Sequence, residues 1–375
     1  MKTILLLIAG CWSLPVFAQK PVSAATKDKP EKEKFVTIRL AKFPVADFPD
    51  KNELRVAGIS IVQQVTDSFR LGFALKGMDN NKLATLVPAG DLTAFLQELV
   101  TRMYKHDYKK DGVQLLWMIK ELRMAEKADP GDIGFLRMAA DVYVAKEADQ
   151  YYPVYSIDSV FVREAGGDVT VWHEEDIEIA FKTILRKSLP LAEKALTNTG
   201  AALTREAIAG KRQHARSWPI LSDTAYQEGA YASFGEFLQN RPSISHFDAV
   251  MVDKKSQRIK IISKSTPADT LTIWGLCRNG EIYKYSDESL IPLERQGNGF
   301  IVSNFIESAI RHNQLSYLSV ITVVVGGLAG APAAPVFYRV PNKNQLLVKN
   351  IPSLTDPAMQ PVAARIDMDT GELGF

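Results

Sequence analysis

Two cysteines, Cys11 and Cys277, are all that the 375 residues contain, and the first sits in a segment built for export. Lys2 is followed by an apolar run from Ile4 to Ala9, and Val16-Phe17-Ala18 stands just before Gln19. A charged start, a short apolar middle and a small residue at a cleavage point make a secretory signal peptide, expected to end at Ala18. Its removal takes 18 of the 375 residues, leaves 357, and leaves Cys277 alone, so no intrachain disulfide can form. An exported chain without such staples must hold itself together by burial. Its length allows two cores of ordinary size, and two domains are expected.

The leader has a second reading, because Ile8-Ala9-Gly10-Cys11 resembles a lipobox, in which Cys11 becomes a lipidated first residue. Only eight residues separate Lys2 from Cys11, short for an apolar middle region, whereas running on through Trp12 to Phe17 gives the usual length. Cleavage after Ala18 is therefore the preferred reading, with a periplasmic or cell-surface address and anchoring through Cys11 as the alternative. Residues 19–34 include Lys-Asp-Lys-Pro-Glu-Lys-Glu-Lys at 27–34, a run of mixed sign with a proline that reads as a solvated tether. Overall, 45 Lys and Arg against 43 Asp and Glu give no electrostatic reason to hold nucleic acid.

The rest of the chain predicts an α+β fold: an N-terminal mixed sheet with packed helices over 35–200, a linker over 201–224, and a smaller β-rich domain over 225–375. Phe35 to Lys42 and Glu53 to Val65 alternate as strands. Gly72, Gly77 and Met78-Asp79-Asn80-Asn81 read as turns. After Asp91, a good N-cap, Leu92, Phe95, Leu96, Leu99, Val100 and Met103 recur at helical spacing. Val113, Leu116, Trp117, Ile119 and Met124 predict a further helix, ended by Asp129-Pro130-Gly131. Ile133 to Ala145 and Tyr152 to Arg163 predict a strand pair, and Glu174 to Leu196 a helix interrupted or kinked at Pro190. In the second half, strands are expected over Ala249 to Val252, Arg258 to Ser263, Thr270 to Cys277 and Glu281 to Tyr285. Asn279-Gly280 is the strongest hairpin signal, because both central residues of that turn need positive φ. Asp369-Thr370-Gly371 predicts a similar turn.

Tyr231, Phe234, Phe237-Leu238, Asn240, Pro242-Ser243, the run Trp274 to Tyr283 and Ile366 to Glu372 resemble a small uncharacterised domain of secreted Bacteroidota proteins. The ending Phe17-Ala18-Gln19 is similar to signals of that group. The resemblance implies an envelope address and carries no catalytic residue. The N-terminal half resembles envelope lipoproteins with a βαβ-type sheet by fold analogy alone.

Asn313 to Tyr338 contains no charged residue, and residues 318–331 are mainly Val, Ile, Gly, Leu and Ala. Pro332 and Pro335 break the last third of this stretch, leaving about fourteen clean residues where a spanning helix needs about twenty. A buried element of the second domain is the preferred reading, with membrane association through 318–331 as the alternative.

Candidate chemistry is sparse. His173-Glu174-Glu175-Asp176 starts like a zincin motif but has Ile177 where the second His belongs; three acids in a first helical turn suit the positive end of the helix dipole. Cys277 is a nucleophile only if His214 or His246 stands beside it, and its strand context is that of a small core residue. Ser233 has Gly235 after it but Tyr231 in place of the first Gly of a nucleophile elbow. Gly297-Asn298-Gly299 lacks the third Gly of a dinucleotide loop, and Asp367, Asp369 and Gly371 have their Gly one place early for a calcium loop. Tyr226, Tyr231, Phe234 and Phe237 would line a glycan or peptide groove only if they formed an exposed patch. No residue set calls for a metal or a cofactor. The expectation is a non-catalytic envelope protein that binds an envelope protein or glycan or serves in assembly, with a secreted hydrolase using Cys277 or Ser233 as the second reading.

Overall fold

Apolar residues spaced two apart recur through most of the chain, and they become strands of two seven-stranded sheets and a separate two-stranded one. The computed structural model describes residues 34–40, 54–76, 82–127, 132–145, 147–197, 200–210, 218–253, 258–266, 269–302, 348, 351, 354 and 360–375. The expected leader with Cys11, most of the expected tether and the segment 318–331 lie outside the described residues. Residues 34–375 form one compact unit, a mixed α+β arrangement, and no described helix is long and apolar enough to cross a membrane.

The first sheet contains β1 (Phe35–Ile38), β2 (Val56–Gln63), β3 (Gly72–Lys76), β4 (Lys82–Pro88), β5 (Val113–Lys127), β6 (Asp132–Ala145) and β7 (Tyr151–Ala165). Its order is β1-β4-β3-β5-β6-β7, with β2 also paired to β5. Two helices cover one face, α1 (Leu92–Tyr104) and α2 (His173–Ala195). Asp91 caps α1 as expected, its Oδ1 accepting the Ala94 N–H at 2.9 Å. Helix α2 runs through Pro190 without a break, so of the expected interruption or kink the interruption does not occur.

The segment 113–127 is a strand, where a helix was expected over Val113 to Met124. It is buried on both faces, which erases the polar alternation that marks a half-exposed strand. Leu115, Trp117, Ile119, Leu122 and Met124 pack with α1 and α2, while Leu116 and Met118 pack on the opposite face with Tyr143, Tyr151 and Ile208. A register shift against β6 between Ile119 and Glu121 swaps the faces part-way, so apolar residues fall at mixed spacings. Gly72 opens β3 rather than a turn. Its φ is +142°, and a Cβ there would lie 1.8 Å from the Met124 carbonyl oxygen, so only glycine lets β3 approach β5 this closely. Within 201–210, expected as linker, Leu203 exchanges both backbone bonds with Tyr151 and α3 (Arg205–Gly210) buries Ile208 against the first sheet.

The second sheet is antiparallel, with β8 (Gly229–Tyr231), β11 (Gly275–Arg278), β12 (Glu281–Ser286), β13 (Ser289–Gln296), β14 (Gly299–Val302), β15 (Arg365–Ile366) and β16 (Leu373–Gly374) in the order β16-β15-β14-β13-β12-β11-β8. Asn279 (φ 54°) and Gly280 (φ 75°) make the predicted turn. Two short helices, α4 (Pro219–Ser222) and α5 (Phe234–Leu238), contribute Ile220, Leu221 and Phe237 to the core on one face. The hairpin of β9 (Phe247–Asp253) and β10 (Arg258–Ser263) packs Ile259 and Ile261 on the other.

Candidate functional site

Past the register shift, alternate residues of β5 project away from the helices toward the second sheet. Glu121, Arg123 and Lys127 are charged residues on that side, and all three are buried. Each therefore needs a partner. Arg123 Nε lies 3.2 Å from Glu121 Oε1, and Arg365 Nη2, from β15, lies 2.7 Å from Glu121 Oε2. Lys127 Nζ donates to the Gln360 carbonyl at 3.2 Å. On β6, Arg137 donates to Asp158 of β7 at 3.0 and 2.8 Å and to Asp367 at 3.0 Å. Charged side chains thus join the two sheets. Burial pushes the Glu121 carboxyl up, but Arg365 and Arg123 outweigh it and hold it below the ordinary carboxylate range. Burial likewise opposes Asp367, and the Asp369 N–H with Arg365 and Arg137 bring it below its ordinary value.

Beside this network the sheets leave a cavity of about 50 Å³. Arg70, Arg123, Arg365 and Asp67 supply its charge, three cations to one carboxylate, while Phe73, Phe300, Ile301, Ile366, Met368 and Phe375 supply apolar wall. The loop ahead of β3 is fixed by Asp67, whose Oδ1 accepts the Phe69 and Arg70 N–H groups at 3.2 and 3.1 Å. Arg123 Nη1 donates to the Asp67 carbonyl at 2.9 Å and also to that of Arg70. Arg365 Nε donates to the Phe375 carbonyl at 3.1 Å. Arg70 is the most solvent-reached of the three guanidinium groups, 3.8 Å from Asp67 Oδ2 with its side chain 26% exposed. Among the described residues, no cysteine, serine or histidine lines the cavity. The arrangement can hold an anionic group against apolar surface, with Thr66 and Asp67 as the hydroxyl and the carboxylate of its lining.

Of the residues singled out from the sequence, Gly299 lines the cavity and Asp367 joins the charged network beside it, while the candidate nucleophiles and the His173 motif lie elsewhere. Cys277 is buried on β11, and burial, with the Glu228 charge second, pushes its thiol up to about 12, the reverse of a reactive cysteine. His246 Nδ1 faces Ser245 Oγ at 2.7 Å, and His214 lies outside the described residues. Ser233 caps α5, its Oγ accepting the Glu236 N–H at 3.3 Å. His173 is wholly buried with Nε2 2.7 Å from Glu126 Oε1; that carboxylate also accepts from Thr170 Oγ1 at 2.7 Å and from the Leu75 N–H at 2.6 Å. Asp176 faces Arg163 at 2.6 Å, and Glu174 accepts the Arg39 N–H at 3.0 Å. No group of three metal-ligating side chains occurs among the described residues.

Tyr226, Tyr231, Phe234 and Phe237 do not form an exposed groove. Tyr231 and Phe237 are fully buried, and Phe237 stacks on Trp274 at 4.2 Å between centroids and meets Phe300 at 5.2 Å. Asp367 sits in the predicted hairpin turn, its Oδ1 accepting the Asp369 and Thr370 N–H groups at 2.9 and 3.2 Å. Gly299 is the first residue of β14 and Gly297 a positive-φ turn residue. The pocket arginines escaped the sequence reading because Glu121 and Arg123 fit the solvent face of a presumed helix. The available signal was charge at alternate positions inside an otherwise apolar run.

No family model matches the chain, and no curated protein does. Among solved structures, the crystal structure of protein XCC0632 from Xanthomonas campestris, described as DUF330, is similar over 48% of this chain and 99% of that one. The identity is 12% and the TM-score 0.25, a likeness too loose to carry fold or function across.

Proposed function

We propose that this chain is an exported, non-catalytic envelope protein of the kind found in Bacteroidota, acting through binding, and that its ligand enters the cavity between the two sheets. The observation that carries the binding reading is the convergence of Arg70, Arg123 and Arg365, against the single carboxylate of Asp67, on an apolar-walled cavity. Concave, largely apolar sites with few convergent polar groups are where small ligands bind. The signal-like residues Lys2 to Ala18 support the export reading, and the resemblance of the aromatic and Gly positions to the secreted domain supports the envelope address.

A water needs roughly 10–15 Å³ of such space, so about 50 Å³ takes the end group of a ligand rather than the whole of it. The guanidinium groups favour a carboxylate, which Arg pairs with bidentately, and the phenylalanine walls favour an acyl body. Calorimetric titration with decanoate tests the reading, with decanol and decyltrimethylammonium as controls. Saturable binding of decanoate, at least tenfold weaker in Arg70→Met, is expected. No preference for the carboxylate over the alcohol, or no effect of the substitution, would refute the site.

A further inference from the structure

A sheet edge presents unpaired N–H and C=O groups, and folded proteins keep such edges short, covered or interrupted. The first sheet does this at two places. Strand β1 has only four residues. Strand β2 is covered by α1: Gln97 Oε1 accepts the Ile61 N–H at 2.9 Å, and Gln97 Nε2 donates to the Ile59 carbonyl at 3.0 Å, the two bonds a neighbouring strand would make.

Strand β7 is different. It has fifteen residues and, among the described strands, pairs with β6 alone. Among the described residues its protection is confined to its start, where Tyr151 exchanges both backbone bonds with Leu203 at 2.9 and 2.8 Å, Pro153 lacks a donor, and the ladder shifts register opposite Val142 and Tyr143. From Tyr155 to Ala165 there is no proline, glycine, lysine or register shift, and no described residue bonds the outer edge. This stretch is about 36 Å long at the strand rise, and Val162 on it is 38% exposed.

We propose that β7 is the surface through which two copies of this chain pair, antiparallel about a two-fold axis through Val160, so that the sheet continues from one molecule into the next. That register sets Asp158 across from Val162 of the second copy, Ser156 across from Glu164, and Arg163 across from Ile157, with no like charges opposed. Axes through Asp158, Arg163 or Glu164 would set each charge against its own copy, and an axis through Phe161 would set Asp158 against Glu164; like charges directly opposite are destabilising. Axes through Ser159 or Val162 oppose no like charges either, but Val160 is the midpoint of 155–165 and alone pairs the whole of that stretch. Asp158 and Arg163 are already paired within the molecule, with Arg137 and Asp176, so pairing adds no uncompensated charge. A second copy is the occupant that removes both unprotected edges at once, in a closed two-fold arrangement.

The test is light scattering on the full chain up to a concentration on the order of 100 μM, joined with oxidation of two single variants, Val160→Cys and Val162→Cys. Circular dichroism checks that each variant folds; Cys11 is replaced by serine in both, and Cys277 is buried and does not compete. The proposal predicts twice the chain mass, ready disulfide cross-linking of Val160→Cys on the axis, and little cross-linking of Val162→Cys, whose mate lies four residues along. A chain monomeric at the highest concentration would overturn it. A dimer in which Val160→Cys fails to cross-link, or cross-links no faster than Val162→Cys, would equally overturn it.

Discussion

Glu121 is the residue on which the junction between the sheets turns. It stands between Arg123 and Arg365 with its side chain 8% exposed. Removing one member of a buried charge cluster strands the others, at about 3–5 kcal/mol. Glu121→Gln is therefore expected to lower unfolding stability by about that amount in urea titrations at neutral pH. Its folded-state pKa lies below the ordinary carboxylate value, so its charged form favours the native state. That contribution is fully present above the unfolded carboxylate pKa, about 4.3 for Glu, and is lost as pH falls through the folded pKa. The stability gap between wild type and Glu121→Gln should accordingly shrink as pH falls below about 4. A gap constant with pH would mean that the carboxylate charge is not what holds Arg123 and Arg365.

At the scale of elements, α1 and β2 show a side chain completing a sheet. Gln97→Ala removes both bonds to the β2 edge and leaves a part-buried N–H and carbonyl without them. The expected loss is about 1–3 kcal/mol, with faster amide exchange at Ile61 than at the paired Trp117; unchanged exchange at Ile61 would show that the edge is held by other means. Helix α1 was legible because its solvent face is polar and its apolar residues fall at three and four, and the Asn279-Gly280 turn because its backbone demands those residues. Strands β3 and β4 were hidden by the glycine at 72, which signals a close approach to Met124 rather than a turn. Strand β5 was misread because burial on two faces and a register shift remove the period of two. The site shared that fate: its arginines are spread over positions 70, 123 and 365, and only the fold brings them together.

At the scale of the whole molecule, Glu121, Arg123, Arg137, Arg365, Asp367 and Lys127 tie the two sheets through buried ion pairs and hydrogen bonds, and Ala125, Ile133 and Phe135 pack with Ala363 and Phe375. Such a junction couples the unfolding of both sheets, so heat should melt Trp117 and Trp274 in one coincident transition; two separated transitions would show that the sheets fold independently. The same junction forms the walls of the cavity, which makes binding and sheet association two readings of one structure. Met368 lines that cavity, so the most direct measurement is an NMR titration of the protein, methyl-labelled at methionine, with decanoate. The predicted result is a saturable shift of the Met368 methyl signal that decanol does not reproduce and that Arg70→Met weakens at least tenfold. A Met368 signal that stays fixed at saturating decanoate would contradict the account.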